Sequence, residues 1–215
     1  YPVAAGGPPS GYIGLWKFEN NVNDDTGTYS ATAYGSPTYD TGKVGSYCLV
    51  TASGKYVTTN LLRSVFENNN CSVAGWYNFT TGTRGICWMA SNAGGGFGLG
   101  VNDSGNSGKF NAGIPSSTNT YVQTSSSYRD GNWHFVVVKF DISTKTVTIN
   151  VDNGAEVVSS TGGGTISPRT DPLTFGRHGT YSGVYYDGKQ DQVYIYTKLL
   201  SDSEISQLWN GGAGI

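Results

Sequence analysis

Short segments in which apolar and polar side chains alternate, separated by glycine-rich turns, recur along the chain and constrain its fold more than any other feature. The clearest lies at residues 133–151, where a run of valines and phenylalanines passes through a polar turn to Val147, Ile149 and Val151. A spacing of two puts alternate side chains on opposite faces of a strand, so this segment predicts an antiparallel hairpin. Strands at this rhythm favour an antiparallel sandwich over a parallel sheet with crossover helices.

Further strands are predicted at residues 46–50, 55–59 and 71–79. We expect residues 85–91 to return through a turn and pair with residues 71–79 as an antiparallel neighbour. The 215 residues include 32 glycines, and only 13% of them are charged, which suits short strands joined by tight turns.

The chain has the length and composition of one domain. Its 15 Tyr, 8 Phe and 5 Trp supply the apolar surface that a core requires, so we expect it to fold. Residues 12–215 are predicted to form this domain. Residues 1–11, which are rich in Pro and Gly, are predicted to be a flexible leader of a processed product or an excised domain.

The charge balance and the hydropathy of the chain argue against several partners. A formal net charge of -2 supplies no basic patch for phosphate, so no nucleic-acid partner is expected. No apolar run approaches the ~20 residues of a membrane-spanning helix, so no membrane insertion is expected. Cys48, Cys71 and Cys87 lack the spacing of zinc ligands and are interpreted as buried, reduced thiols. Free thiols favour assembly in a reducing cytosol.

One short helix is specified near the C-terminus. Ser201 and Glu204 have the spacing of a capping box, and Gly211 with Gly212 ends the helical pattern. The apolar stripe between these signals consists of Ile205, Leu208 and Trp209. A stripe of this kind indicates a helix that docks on the sandwich.

Several segments, taken in order, resemble one family. The segments are residues 15–19 (LWKFE), 42–45 (GKVG), 56–57, 73–76 (VAGW), 132–136 (NWHFV), 173–176 (LTFG), 188–196 and 199–205 (LLSDSEI). Together they resemble the laminin-G-like, concanavalin-A-like jelly-roll family of lectins, carbohydrate-binding modules and viral surface proteins. The resemblance implies an all-β fold, a two-sheet antiparallel jelly-roll sandwich with one short C-terminal helix. It also makes His134, at the start of a buried strand, a structural histidine.

The carboxylates of the chain do not form the pattern of a glycosidase. Glycoside hydrolysis needs two carboxylates on one face, and no strand segment here carries such a pair. Asp202 and Glu204 are explained by the helix cap, and Asp24 with Asp25 lies in a loop. No Gly-x-Ser-x-Gly motif accompanies a histidine. We therefore expect that the protein is not an enzyme.

A structural calcium ion is predicted from the resemblance, because family members often carry one at the mouth of the sandwich. Glu19 lies at the end of the predicted first strand, residues 14–19, and Asp191 lies at the start of the predicted last strand, residues 192–196. In the family topology the two therefore become neighbours. Asn21 and backbone carbonyls could complete a shell of hard oxygen ligands. The alternative is that Glu19 and Asp191 accept hydrogen bonds in loops, and both interpretations stay open.

Aromatic and planar polar side chains in loops and strand ends suggest a ligand-binding surface. Sugars are usually held by aromatic faces together with amides, Arg and carboxylates. The candidates are Tyr121, Tyr128, Arg177, His178, Tyr181, Tyr185 and Tyr186. The prediction of a binding surface depends on those candidates that cluster at residues 177–186. Among them, His178 is expected to be exposed at the surface. The leading hypothesis is a noncatalytic recognition domain that binds glycans on a cell surface or in a polysaccharide.

The alternative hypothesis is a structural virion surface protein, such as a phage capsid decoration or fibre domain, that contacts other virion subunits. Both roles are compatible, because a virion surface domain can bind host glycans. The predicted location is therefore extracellular or the virion surface.

Overall fold

A computed structural model describes residues 6–80, 85–90, 96–102, 107–115, 120–178 and 183–215 of the chain. These residues form a sandwich of two antiparallel sheets, with one short helix near the C-terminus. The all-β jelly-roll prediction is confirmed. None of the described helices is long and apolar enough to span a bilayer.

The two sheets contain eight and seven strands. In chain order the elements are β1 (Tyr12–Trp16), β2 (Ala31–Tyr34), β3 (Thr38–Thr41), β4 (Tyr47–Thr51), β5 (Tyr56–Leu62), α1 (Ser64–Asn68), β6 (Cys71–Asn78), β7 (Gly85–Ala90), β8 (Phe97–Asn102), β9 (Lys109–Ile114), β10 (Thr120–Gln123), β11 (His134–Asp141), β12 (Thr146–Val151), β13 (Val157–Val158), β14 (Pro172–Phe175), β15 (Gly188–Tyr196) and α2 (Asp202–Trp209). The eight-stranded sheet has the order β13-β12-β11-β6-β15-β4-β3, and β1 pairs with the end of β15. The seven-stranded sheet has the order β10-β9-β8-β7-β14-β5-β2.

The predicted hairpin is confirmed, because β11 and β12 pair antiparallel with Val136 opposite Val151. The three short strands predicted before it correspond to β4, β5 and β6. The predicted pairing of residues 85–91 with residues 71–79 is wrong. Both edges of β6 are taken by β11 and β15, and β7 instead joins the opposite sheet between β8 and β14.

Large aromatic side chains fill the space between the sheets. Those that are fully buried there include Trp16, Trp88, Tyr77, Phe66, Phe97, Phe110 and Phe140. The short helix α1 contributes Phe66, whose ring packs against three other rings of this set. Interlocked aromatic packing of this kind fixes the two sheets relative to each other and so positions the strand ends and turns.

The outer face of the eight-stranded sheet is covered by α2. Ser201 and Glu204 form the predicted capping box, and Ile205 and Leu208 are buried. The Trp209 ring stacks on Trp76 of β6 at a centroid distance of 5.3 Å. The predicted docking is thus confirmed. The helix ends at Asn210, which takes a left-handed conformation with φ 47°, one residue before the glycines expected to end it.

Part of the predicted leader is anchored to this same layer. The Pro9 carbonyl accepts a hydrogen bond of 3.2 Å from the Tyr196 hydroxyl, and the Gly7 carbonyl accepts one of 2.6 Å from Gln207 of α2. These bonds hold residues 7–9 against β15 and α2.

The three cysteines are free and buried, as predicted. Burial raises the pKa of Cys48 to about 11 and that of Cys71 to about 12, and it also raises the pKa of Cys87. Thiols of this kind stay protonated at neutral pH and act as small apolar side chains.

Candidate functional site

Four planar side chains line up at one end of the seven-stranded sheet, on its outer face. We call this set, Tyr34, Tyr56, Arg177 and Tyr185, the aromatic row. Tyr34 of β2 and Tyr56 of β5 are directly opposite in the strand register, and their rings stack at 4.8 Å with an angle of 9°. The Arg177 guanidinium lies 4.3 Å from the centre of the Tyr56 ring. Tyr185 follows, with its ring centre 6.3 Å from that of Tyr56.

A tight turn after β14 places Arg177 and Tyr185 side by side. Gly176 has a φ of +86°, and a Cβ there would lie 2.6 Å from a methyl carbon of Thr51, so this position requires glycine. Beyond it, residues 184–186 run antiparallel to residues 176–178, and Arg177 pairs with Tyr185 in an isolated bridge. The Arg177 Nε donates to the His178 carbonyl at 3.0 Å, which helps to orient the guanidinium over Tyr56.

The structure divides the predicted cluster at residues 177–186 into two faces. Arg177 and Tyr185 lie in the aromatic row, whereas His178 is 7% exposed and Tyr186 is 1% exposed. The Tyr186 hydroxyl donates to the Asn78 carbonyl at 3.1 Å, as a core tyrosine does. The prediction of His178 and Tyr186 as surface ligand contacts is therefore corrected. Tyr181 lies outside the described residues.

The other two predicted tyrosines lie away from the row. Tyr121 is 72% exposed on β10, the strand at the opposite edge of the same sheet. Tyr128 packs against Phe110 at 5.4 Å and against His134 at 4.8 Å between ring centres. Of the six predicted ligand residues that the structure describes, it thus brings together two, Arg177 and Tyr185.

Tyr34 and Tyr56 are the members of the row that sequence reasoning missed. Each lies at a strand end beside a glycine turn, and a Cβ on Gly35 would lie 1.9 Å from the Gly54 carbonyl oxygen. These two turns therefore pack closely and bring the two tyrosines into register. Arg177 and His178 are adjacent in an extended segment, as are Tyr185 and Tyr186, so the two members of each pair must face opposite sides. This alternation was the sequence signal that one member of each pair is buried.

The seven-stranded sheet that carries the row is free of acidic residues. None of its strands, as the structure defines them, contains an Asp or a Glu, and its one charged strand residue is Lys109. Two carboxylates on one face are the minimum for glycosidase chemistry. The described strands of this sheet therefore offer aromatic, hydroxyl and amide groups, which bind, and no carboxylate pair that could hydrolyse a glycosidic bond.

His134 is held by two carboxylates at the start of β11. Its Nδ1 lies 2.7 Å from Asp152 and its Nε2 lies 3.1 Å from Asp130. Burial lowers the pKa of His134, but the hydrogen bonds to Asp152 and Asp130 outweigh this effect and raise the pKa above its usual value. Burial also raises the pKa of Asp130, and hydrogen bonds from Asn132 and His134 overcome it and hold that pKa at about 2. The arrangement agrees with a structural histidine.

Glu19 and Asp191, the predicted calcium ligands, both accept hydrogen bonds from the loop at residues 42–47. Asp191 is fully buried, and its Oδ2 accepts from the backbone N–H groups of Lys43 and Val44 at 2.7 and 2.9 Å. The Glu19 oxygens accept from the N–H groups of Ser46 and Tyr47 at 2.9 to 3.2 Å. Three of the four carboxylate oxygens therefore already have donors.

These hydrogen bonds make the two carboxyl groups a clamp on the loop at residues 42–47. Calcium takes six to eight oxygen ligands, yet the Asn21 amide donates to the Glu19 carbonyl and its oxygen accepts from Asn23. In the part of the chain that the structure describes, no group of three or more His, Cys, Asp or Glu side chains is placed to hold a metal ion. Calcium binding at Glu19, Asn21 and Asp191 stays a prediction.

A family model described as the concanavalin A-like lectin/glucanases superfamily matches residues 51–206. No curated protein matches the sequence.

Solved structures with a similar fold include binding domains. The binding domain of Paraclostridial Mosquitocidal Protein 1 has a TM-score of 0.74 and 12% identity, over 94% of this chain and 52% of that one. Domain 4 of AbnA, a GH43 extracellular arabinanase from Geobacillus stearothermophilus in complex with arabinotriose, has a TM-score of 0.73 and 18% identity, over 95% and 98%. The binding domain of botulinum neurotoxin serotype D has a TM-score of 0.70 and 14% identity, over 94% and 52%. The chain thus spans about half of the mosquitocidal-protein structure and about half of the neurotoxin structure. Identities this low show the fold alone.

Proposed function

Because the chain belongs to the concanavalin A-like lectin/glucanases superfamily, we propose that it is a noncatalytic recognition domain that binds carbohydrate at the aromatic row. The observation that carries the proposal is the stack of Tyr34, Tyr56 and Arg177 on the outer face of a sheet whose strands have no acidic residue. Tyr34 is 44% exposed, and the other members of the row are half-buried, so the row forms part of the surface.

The chemistry of the row suits a sugar. The C–H face of a sugar ring stacks on an aromatic face, while hydroxyls need planar donors and acceptors at the edge of the contact. Tyrosine supplies both an apolar face and a hydroxyl, and the Arg177 guanidinium supplies N–H donors in a fixed plane. A surface that combines these groups can therefore hold a carbohydrate through stacking and hydrogen bonds together.

The arabinanase domain supports the choice of ligand class by analogy. It was solved with arabinotriose, and this chain covers 98% of it. The acid-free strands of the seven-stranded sheet support a noncatalytic role, since hydrolysis needs a carboxylate pair. We propose that the domain meets its glycan outside the cell or at the surface of a virion.

A glycan array with the wild type and matched tyrosine variants tests the proposal. Tyr34→Ala is expected to weaken binding by ~10-fold or more, because it removes the most exposed group of a small contact. Arg177→Ala is expected to weaken binding less, because the guanidinium lies on Tyr56 and supports the stack on which Tyr34 rests. Tyr47→Ala is the matched control, since Tyr47 is 45% exposed and lies on β4 in the other sheet. Melting curves verify that each variant is folded. A wild type that binds no glycan, or row variants that bind like Tyr47→Ala, would contradict the proposal.

A further inference from the structure

We infer that the aromatic row takes a single sugar ring, stacked on the outer face of Tyr34, and does not read a length of polysaccharide chain. The inference rests on the proposed function and specifies how many sugar units the same site contacts. It follows from which aromatic faces of the row are already covered and which one is open.

Both faces of Tyr56 are occupied by other members of the row. Strand β5 lies between β2 and β14 in the sheet. Tyr34 therefore reaches Tyr56 from one side, with parallel rings at 4.8 Å, and Arg177 reaches it from the other side at 4.3 Å. At these separations no sugar ring fits between the groups. Tyr56 can offer only its ring edge and its hydroxyl to a ligand.

Tyr34 is the most exposed member of the row. Strand β2 is the last strand of the seven-stranded sheet, so no described strand lies beyond Tyr34. Among the described residues, its ring contact is the one with Tyr56, which covers its inner face. The ring is nevertheless 44% exposed. The open surface is therefore the outer face of Tyr34, at the edge of the sheet.

An aromatic ring of this size matches one sugar ring. A ligand ring on the outer face of Tyr34 extends the stack by one layer and lies next to the edge of the Tyr34 phenol. The Tyr34 hydroxyl can then exchange hydrogen bonds with the substituents of that one ring. A second sugar unit would lie past the end of the row, where none of the residues that the structure describes adds a further stacked ring.

The test has two stages. The glycan array first identifies the linear glycan that the wild type binds most strongly, and the absence of any binding would defeat the proposed function itself. That glycan is then prepared as a mono-, di-, tri- and hexasaccharide, and each is titrated by calorimetry. If one ring is recognised, the dissociation constant changes little with length. A hexasaccharide offers six equivalent rings to the same site. This statistical factor alone lowers the apparent dissociation constant by at most ~6-fold.

The variants separate stacking on Tyr34 from a general surface effect. Tyr34→Phe is expected to bind within a few-fold of the wild type and Tyr34→Trp at least as tightly, because both keep the face, whereas Tyr34→Ala loses ~10-fold or more on every length. Tyr47→Ala should bind as the wild type does. A dissociation constant that falls more than ~10-fold from the disaccharide to the hexasaccharide would overturn the inference while leaving carbohydrate recognition in place. Equal binding by Tyr34→Ala and the wild type would also overturn it.

Discussion

Glu19 and Asp191, from the start and the end of the domain, hold the two ends of one loop. Asp191 accepts from Lys43 and Val44, and Glu19 accepts from Ser46 and Tyr47. Between these pairs, Gly45 has a φ of +74°, and a Cβ there would lie 1.9 Å from a Glu19 oxygen. The loop can therefore approach the two carboxylates only because a glycine occupies this position.

Removal of the buried carboxylate should release this loop. Asp191→Ala leaves the N–H groups of Lys43 and Val44 without their acceptor, so we expect a loss of about 1–3 kcal/mol in the free energy of unfolding. Asp191→Asn keeps an oxygen acceptor and should cost less. Chemical denaturation in the presence of a chelator measures both. Equal stability of Asp191→Ala and the wild type would contradict the structural role of the clamp.

The same variants decide whether calcium binds. Calcium at ~100 times its dissociation constant stabilises a protein that binds it in the folded state by about 2.7 kcal/mol. If Glu19, Asn21 and Asp191 hold the ion, the wild type melts several degrees higher with calcium than with chelator, and Asp191→Asn does not respond. Identical wild-type curves in calcium and chelator would contradict the calcium prediction and leave a clamp made of hydrogen bonds.

The sequence predicts the fold where local patterns are strong. Strands β11 and β12 carry regular alternation, and both were predictable from it. Strand β8 was not predictable from the sequence, because Gly98 and Gly100 stand where alternating side chains would otherwise mark a strand. The partner of β7 was predicted wrongly, since nothing local indicates that a short return segment crosses to the other sheet.

The candidate site was predicted only in part, because it depends on long-range register. Arg177 and Tyr185 are close in sequence and could be suggested as neighbours. Tyr34 and Tyr56 meet only because β2 pairs with β5 in one register, and a shift by one residue would turn one of them into the core. Adjacent side chains of an extended segment point to opposite faces. This alternation within residues 184–186 could have distinguished the outward Tyr185 from the buried Tyr186.

The ionised state of His134 should make stability depend on pH. The pKa of His134 is raised in the folded state by Asp152 and Asp130, so its contribution is fully present below the unfolded value of ~6.5. It is lost as the pH rises through the folded pKa. The difference in unfolding free energy between the wild type and His134→Gln should therefore shrink with rising pH. Denaturation at a series of pH values measures it, and a constant difference would contradict the prediction.

The C-terminal helix should behave as part of the core. Ile205 is 1% exposed, so Ile205→Ala is expected to cost about 2–5 kcal/mol by opening a cavity under α2. Ser201→Ala removes the cap and should cost only about 1 kcal/mol. Gln207→Ala is a milder reference within the helix, since it removes one exposed hydrogen bond to Gly7. Equal stability of Ile205→Ala and Gln207→Ala in chemical denaturation would show that the helix is not docked.

The three thiols should be inert in the folded protein. Each cysteine is buried, and the raised pKa values of Cys48 and Cys71, about 11 and about 12, keep the reactive thiolate scarce. We expect a disulfide reagent at pH 8 to label none of the three at the rate of an exposed thiol, and all three once guanidinium chloride unfolds the chain. Ser53→Cys, in the exposed turn before β5, is the matched control and should add one fast equivalent. Rapid labelling of the native wild type would show that at least one of these thiols reaches solvent.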